Sequence, residues 1–180
     1  MTHDVKLGIG DASGMFYHAP AGTALPTDAA AALPSVWKEV GDVTQDGISF
    51  SKDMSTENLK NWANVIKRVV MTEHTETVQA PLMSTTEESL KTVLGEDNVA
   101  ISGRNITANL SAGNLPPEEA FLFRMKDEDD VIIIACKKGQ VTALDSISFA
   151  PNGSINWTPT ITGMEDGWQM IMSEGDESSS

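Results

Sequence analysis

The chain has 180 residues and 19.3 kDa, with 12 basic against 26 acidic side chains and a net charge of −14. A chain of this length buries roughly 70% of its unfolded surface, so one domain can close its own core without disulfides or metal. Three of the acids, Glu174, Asp176 and Glu177, lie in the last eight residues, which leaves −11 on the body and excludes non-specific duplex binding by counterion release.

No run approaches the roughly 18 apolar residues of a membrane-spanning helix, so no membrane insertion is expected. Met1-Thr2-His3-Asp4 lacks the basic head and apolar stretch of a signal peptide. The one cysteine, Cys136, sits in the apolar run 131–136 and reads as a small buried hydrophobe, which fits folding in a reducing cytoplasm.

Residues 1–13 are polar, carry Gly8 and Gly10 and show no period, which predicts an N-terminal arm ordered only against a partner. Met15–Ala19 predicts a short strand, and 20–27 a loop, since Pro20, Gly22 and Pro26 deny it a ladder. Leu33, Val36, Trp37 and Val40 fall at i, i+3, i+4 and i+7 and predict a short helix over about 33–40, with Pro34 in its first turn and Gly41 as cap. Gln45-Asp46-Gly47 predicts a turn ahead of a strand at Ile48–Phe50. The polar run 51–61 reads as a loop or a single helical turn, so 42–63 is expected to project as a loop. Asn64–Glu73 and His74–Met83 predict two strands, with Val65, Val69 and Met71 on one face of the first and Val78, Ala80 and Leu82 on one face of the second.

Ser84-Thr85-Thr86-Glu87 matches a capping box, Leu90, Val93 and Leu94 form the stripe behind it, and Gly95 closes a helix over about 84–95. Strands are expected over 104–110, 119–126, 129–136, 140–150, 154–162 and 167–172. Asp127–Asp130 is the turn of a hairpin whose second arm, Val131–Cys136, is apolar on both faces and therefore central and covered twice. Asn152-Gly153 between Phe149 and Ile155 predicts another hairpin turn. Residues 173–180 form an acidic tail with nothing to bury. The fold class is mainly β: an antiparallel sandwich or barrel over 14–172 with one flanking helix and one short helix.

A search for chemistry finds no constellation. His3, His18 and His74 stand at no metal-ligand spacing with one another or with Cys136 and read as surface or strand histidines. Gly8–Gly14 lacks the flanking strand and helix of a phosphate cradle. The 127–130 acids lack the spacing and central glycine of a calcium loop and fit a solvated turn. Three glycosylation sequons, at Asn105, Asn109 and Asn156, have no secretory signal to give them meaning. Trp37, Trp62, Trp157 and Trp168 are not interleaved with Arg or Lys, so they suit core or subunit-interface packing over base stacking. No catalytic, cofactor or metal residue is assigned.

Several segments together resemble the major tail tube proteins of siphophages, especially those of actinobacteriophages: Gly14–Thr27, Trp37–Gly41, Gln45–Ile48, Asn61-Trp62 and Val93–Val99, covering about residues 14–100. The run Ala19-Pro20-Ala21-Gly22-Thr23 is the most specific part. The chain departs at Ala63-Asn64, where related chains often carry glycines. The resemblance implies six copies closing a ring, rings stacking into the hollow tube of a long non-contractile tail, and double-stranded DNA passing through without sticking. It also implies the tape measure and the tail terminator and tip proteins as partners, with the virion tail as location.

The edges and loose ends of such a scaffold suggest Asp4, Val5, Leu7, Phe16, Tyr17, Leu25, Phe50, Met54, Leu59 and Trp62 as subunit-interface residues. The acidic surplus suggests Glu73, Glu76 and Asp145 as lumen-facing residues that repel phosphate. The arm 1–13 and the loop 42–63 are expected to order only on docking. The rival readings are a type VI secretion-like tube protein, against which the Ala19–Thr27 segment argues, and a β-sandwich module binding carbohydrate or a receptor. Such a module would need an exposed aromatic platform that 6% aromatics scarcely provide.

Overall fold

The structure, a computed structural model, describes residues 5–175. Strands β1 (Phe16–Pro20), β2 (Lys38–Glu39), β3 (Ser49–Lys60) and β4 (Ile66–Gln79) lead to helix α1 (Glu87–Leu94) and a 3-10 turn at Glu96–Asn98. A small hairpin follows, β5 (Val99–Ser102) with β6 (Asn105–Ala108), and then β7 (Glu119–Asp127), β8 (Asp130–Leu144), β9 (Pro159–Gly163) and β10 (Trp168–Ser173). The main sheet has eight strands in the order β2-β1-β7-β8-β9-β4-β3, with β10 added against β8, and every pairing is antiparallel.

Strand β8 carries the architecture. Its first half, Val131–Cys136, lies between β7 and β10; its second half, Gly139–Leu144, pairs with β9 and leads to β4 and β3. The two halves fold over one another as a sandwich sharing this strand. Gly139 sits where they part, and a Cβ there would come within 3.0 Å of Cys136 Sγ and 3.2 Å of the Thr162 carbonyl, so only glycine fits without a shift.

Alternation on β7 and β8 fills two cores. Phe121, Phe123 and Cys136 face Phe16, Val78, Leu82, Val141, Ile161 and the α1 residues Leu90 and Val93. Ala120, Leu122, Val131, Ile133 and Ala135 face Ala19, Ala29 and Trp37 on the other side. The expectation that 131–136 is covered twice therefore holds. Burial pushes the Cys136 thiol up to about 12, so it packs as a hydrophobe.

Several elements differ from the sequence reading. Residues 33–40 are not a helix: a turn at Pro34–Trp37 delivers Leu33 and Trp37 to one core, while β2 pairs with β1 and hands Val40 to the other. A helix would have kept those side chains on one face, and the two-sided core needs them on two. The 51–61 run is not a loop but most of β3, and the two strands expected at 64–73 and 74–83 are one strand, β4. The strands expected at 129–136 and 140–150 are likewise one, β8.

Asn152-Gly153 does not close a tight hairpin. Residues 145–158 form a long connection because Trp157, buried and bonded to Leu82 through both backbone groups, anchors it on the end of β4. Helix α1 begins at Thr86, not Ser84: Thr86 and Ser89 make the reciprocal capping bonds, while the Ser84 hydroxyl accepts the Asp42 N–H at 2.9 Å. Gly95 caps the helix as expected, its N–H donating to the Lys91 carbonyl.

Candidate assembly surface

Among the described residues, the longest element that leaves the main sheet is the β3–β4 hairpin. Only Thr77–Gln79 of β4 pair with β9, so residues 66–76 and their β3 partners form a two-stranded ribbon beyond the sheet. At the usual rise per residue it extends roughly 35 Å. A lone two-stranded ribbon is marginally stable in water.

Its register sorts the side chains. Phe50, Met54, Thr56, Ile66, Val69 and Met71 share the face that continues the buried Val78, interspersed with Lys52, Asn58, Lys60, His74 and Glu76. The opposite face carries Asp53, Glu57 and Glu73 among Ser49, Ser51, Ser55, Thr75, Thr77 and Gln79, with Val70, Leu59 and Arg68 nearer the tip. One face carries most of the ribbon's large apolar side chains, the other is mostly polar with three acids. The split depends on a bulge at Thr72, an extra residue between the pairs Ser55–Glu73 and Thr56–Met71, held by the Thr72 hydroxyl donating to the Ser55 carbonyl at 3.1 Å. A second extra residue, Lys67, sits near the tip.

Phe50, Met54, Ile66, Val69 and Met71 remain 48–61% exposed, the largest group of exposed apolar side chains on one face of a single hairpin, although others such as Leu110, Phe149 and Met170 are exposed elsewhere. The tip turn is closed by Asn61, whose carboxamide oxygen accepts the Val65 N–H at 3.0 Å. Asn64 takes φ 62°, the left-handed conformation a glycine would otherwise supply. Trp62 stands on this turn fully exposed.

Of the other residues expected at interfaces, Val5 and Leu7 are exposed, and Asp4 lies outside the described residues. Leu59 is half exposed but lies on the polar face. Tyr17 and Leu25 pack partly against the second core. Phe16 is corrected: it is fully buried, stacked on Phe123 with ring centroids 4.4 Å apart, and no neighbour can reach it.

The arm is corrected as well. Its described part already lies on β7: Ile9 accepts the Lys126 N–H, Asp11 donates to the Arg124 carbonyl, and Lys6 pairs with Asp130. Apolar residues of the arm face outward because the contacts are made by its backbone and charges. At the other end, Gly175 donates to Asp130, and residues 176–180 of the expected tail lie outside the described residues.

Among the lumen candidates, Glu73 is exposed on the polar face and Asp145 accepts from Gln79 at the root of that face. Glu76 falls on the other face. It pairs with Lys52 at 2.9 Å and accepts the Trp168 N–H at 3.0 Å, and these bonds hold its carboxyl below the usual range. It ties β10 to the ribbon's root and is not a free surface charge.

Two features escaped the sequence reading. His18 is nearly buried between β7 and α1, with Nδ1 3.1 Å from Glu119 and Nε2 3.3 Å from Glu88. Burial alone would lower its pKa, but the bond to Glu119 and the charges of Glu119 and Glu88 raise it. The second is a cavity of about 510 Å³ between the arm, the 43–48 loop and β7, lined by Ile9, Met15, Val43, Ile48, Phe123 and Met125 among others. Neither has a signal in the linear sequence, because each joins residues far apart along the chain. Among the described residues no cluster of His, Cys, Asp or Glu suits a metal ion, and no helix is long and apolar enough to cross a membrane.

A family model described as phage tail tube protein matches residues 6–173, nearly the whole chain. No curated protein matches it significantly.

Proposed function

The chain belongs to the phage tail tube protein family, and from that premise we propose that it is the repeating subunit of a long, flexible, non-contractile siphophage tail. Tail tube proteins are structural components of the virion tail that self-assemble into a tube. In our reading, copies close into rings, six to a ring by resemblance, and the rings stack into the conduit through which the genome is delivered. Assembly takes place in the host cytoplasm. The tape measure protein sits inside the tube, and the terminator and tip proteins at its ends.

The observation that carries this reading is the amphipathic ribbon. A marginal two-stranded element is kept because a neighbouring copy completes it, burying the Phe50–Met54–Met71–Val69 stripe. The opposite face, with Asp53, Glu57 and Glu73 against Arg68 alone, lines the bore together with Asp145. An acidic wall offers phosphates no counterion release, so DNA slides past it.

Negative-stain microscopy of the purified chain tests assembly: rings or tubes are expected, and monodisperse single particles at every concentration refute the proposal. The bore is tested with an Asp53→Lys, Glu57→Lys, Glu73→Lys variant. Its tubes should retain short duplex DNA at low salt and release it as salt rises, while wild-type tubes retain none.

A further inference from the structure

Trp62 is the most exposed large apolar side chain of the described residues, and it stands at the outermost point of the ribbon. Nothing in the fold of one copy requires an indole there. The turn is closed by Asn61 and Asn64, and Trp62 covers no core.

The arm–β7 cavity is the complementary feature. Its floor is Phe123, its walls carry the thioethers of Met15 and Met125, and Gly8 and Gly10 leave it open on the arm side. At about 510 Å³ it holds many times the roughly 30 Å³ of one water, and its lining is mostly apolar. Methionine sulfur beside an aromatic ring is a favourable contact in an adaptable wall.

Charge points the same way. Residues 57–68 carry Lys60, Lys67 and Arg68 against Glu57 alone, in a chain of net charge −14, and these three cations form no ion pair among the described residues. The cavity is flanked by Asp46 on one side. On the other, across a hollow sharing Gly10 and Arg124 with it, stand Glu128 and Asp129 with Lys126 between them and the cavity's Arg124, which Asp11 pairs, so the acids stay in excess around it.

The occupant must come from another copy. Ile48 lines the cavity and β3 begins at the next residue, so the ribbon is rooted beside its own cavity and holds its tip roughly 35 Å away.

We propose that Trp62 of one copy inserts into the Ile9–Met15–Val43–Phe123–Met125 cavity of the next copy. This knob-in-pocket contact is head to tail, so it leaves a free tip at one end and a free pocket at the other and propagates along a stack. It rests on the self-assembly reading above and assigns that assembly its central anchor.

A double-mutant cycle on the full chain tests it. Trp62→Ala removes the knob. Gly8→Leu fills the pocket from its wall, where an added Cβ meets only Met125 Sδ at an ordinary 3.7 Å. Each single change should raise the critical concentration for assembly about 30-fold, as loss of an aromatic hot spot does. The double variant should be no worse than either single one. Unchanged thermal unfolding of the dilute monomers confirms that both variants fold. The fluorescence lost in Trp62→Phe should shift to the blue when wild-type tubes form, and should stay red in Gly8→Leu.

Assembly of both single variants at the wild-type concentration overturns the inference and leaves the tube reading standing. Effects that multiply in the double variant also overturn it. A wild-type chain that never assembles overturns both.

Discussion

Substituting Met71 by Asp probes the apolar face of the ribbon at its middle. In the lone chain Met71 is 54% exposed and opposite Thr56, so the change touches no core. It should cost monomer stability no more than about 1 kcal/mol, the span of strand propensities at an exposed position. On the proposed assembly the same site is covered in the tube. About half of the 1.5–3 kcal/mol that a methionine gains on full burial remains to be won there, roughly 1 kcal/mol. A carboxylate buried without a partner adds a penalty of at least ~2 kcal/mol even after partial neutralisation. The two together exceed about 3 kcal/mol, more than a hundredfold in the critical concentration for assembly. Sedimentation of tubes over a concentration series measures that shift, and urea unfolding of dilute protein measures the monomer. Met71→Leu keeps the volume and should assemble within a few-fold of wild type. The reasoning fails if Met71→Asp assembles at the wild-type concentration, or if its loss of assembly is matched by lost monomer stability.

Two single-residue deletions separate face from length. Removing Thr72 or removing Thr75 should each leave a regular ladder without the bulge; the first keeps Glu73 opposite Ser55 on the polar face, and the second moves it opposite Met54 on the apolar face. Electron microscopy should find tubes for the first deletion and none for the second. Phe16→Ala should lower unfolding free energy by about 3–5 kcal/mol in denaturant titrations of the monomer, as expected for a fully buried ring stacked on Phe123. An interface role would instead spare the monomer. His18, facing Glu119 on β7 and Glu88 on α1, with Lys38, Lys91, Glu96 and Glu118 around the same hollow, has its pKa raised in the fold. Its contribution is therefore fully present below the unfolded value near 6.5 and is lost as pH rises through the folded one. The stability advantage of wild type over His18→Gln should be larger at pH 6 than at pH 8.5, and equal gaps would refute it.

The two-core sandwich was legible where burial alone dictates pattern. Val131–Cys136 is apolar at every position, which only a strand covered on both faces tolerates, and Val78, Ala80 and Leu82 alternate into one core as their spacing requires. The 33–40 segment misled because its helical spacing is met equally well by a turn and an edge strand that feed two different cores. The capping box was displaced by two residues because Ser84 and Thr86 offer the same hydroxyl chemistry, and only the tertiary bond from Asp42 claims Ser84. The arm looked free because it is held by backbone bonds and ion pairs, which leave no hydrophobic period.

The ribbon was the hardest element to read, and its obscurity and its use have one cause. Ser49–Lys60 is rich in Asp, Glu, Asn and Lys, which disfavour strands when a strand must bury one face inside its own chain. On β4, Val69 and Met71 are odd-numbered while His74, Glu76 and Val78 are even, so a strict two-residue period breaks between them. Read straight, the segment divides into two strands with opposed faces. The bulge at Thr72 absorbs the odd residue and brings Met71 and Val69 onto the face of Phe50 and Val78. A segment that needed no amphipathic face would gain nothing from such a correction, because Phe50, Met54, Val69 and Met71 are all exposed in the lone chain. The bulge acquires an energetic purpose only when something covers the apolar stripe, and on the assembly proposed above a second copy of the chain is the partner that supplies that cover.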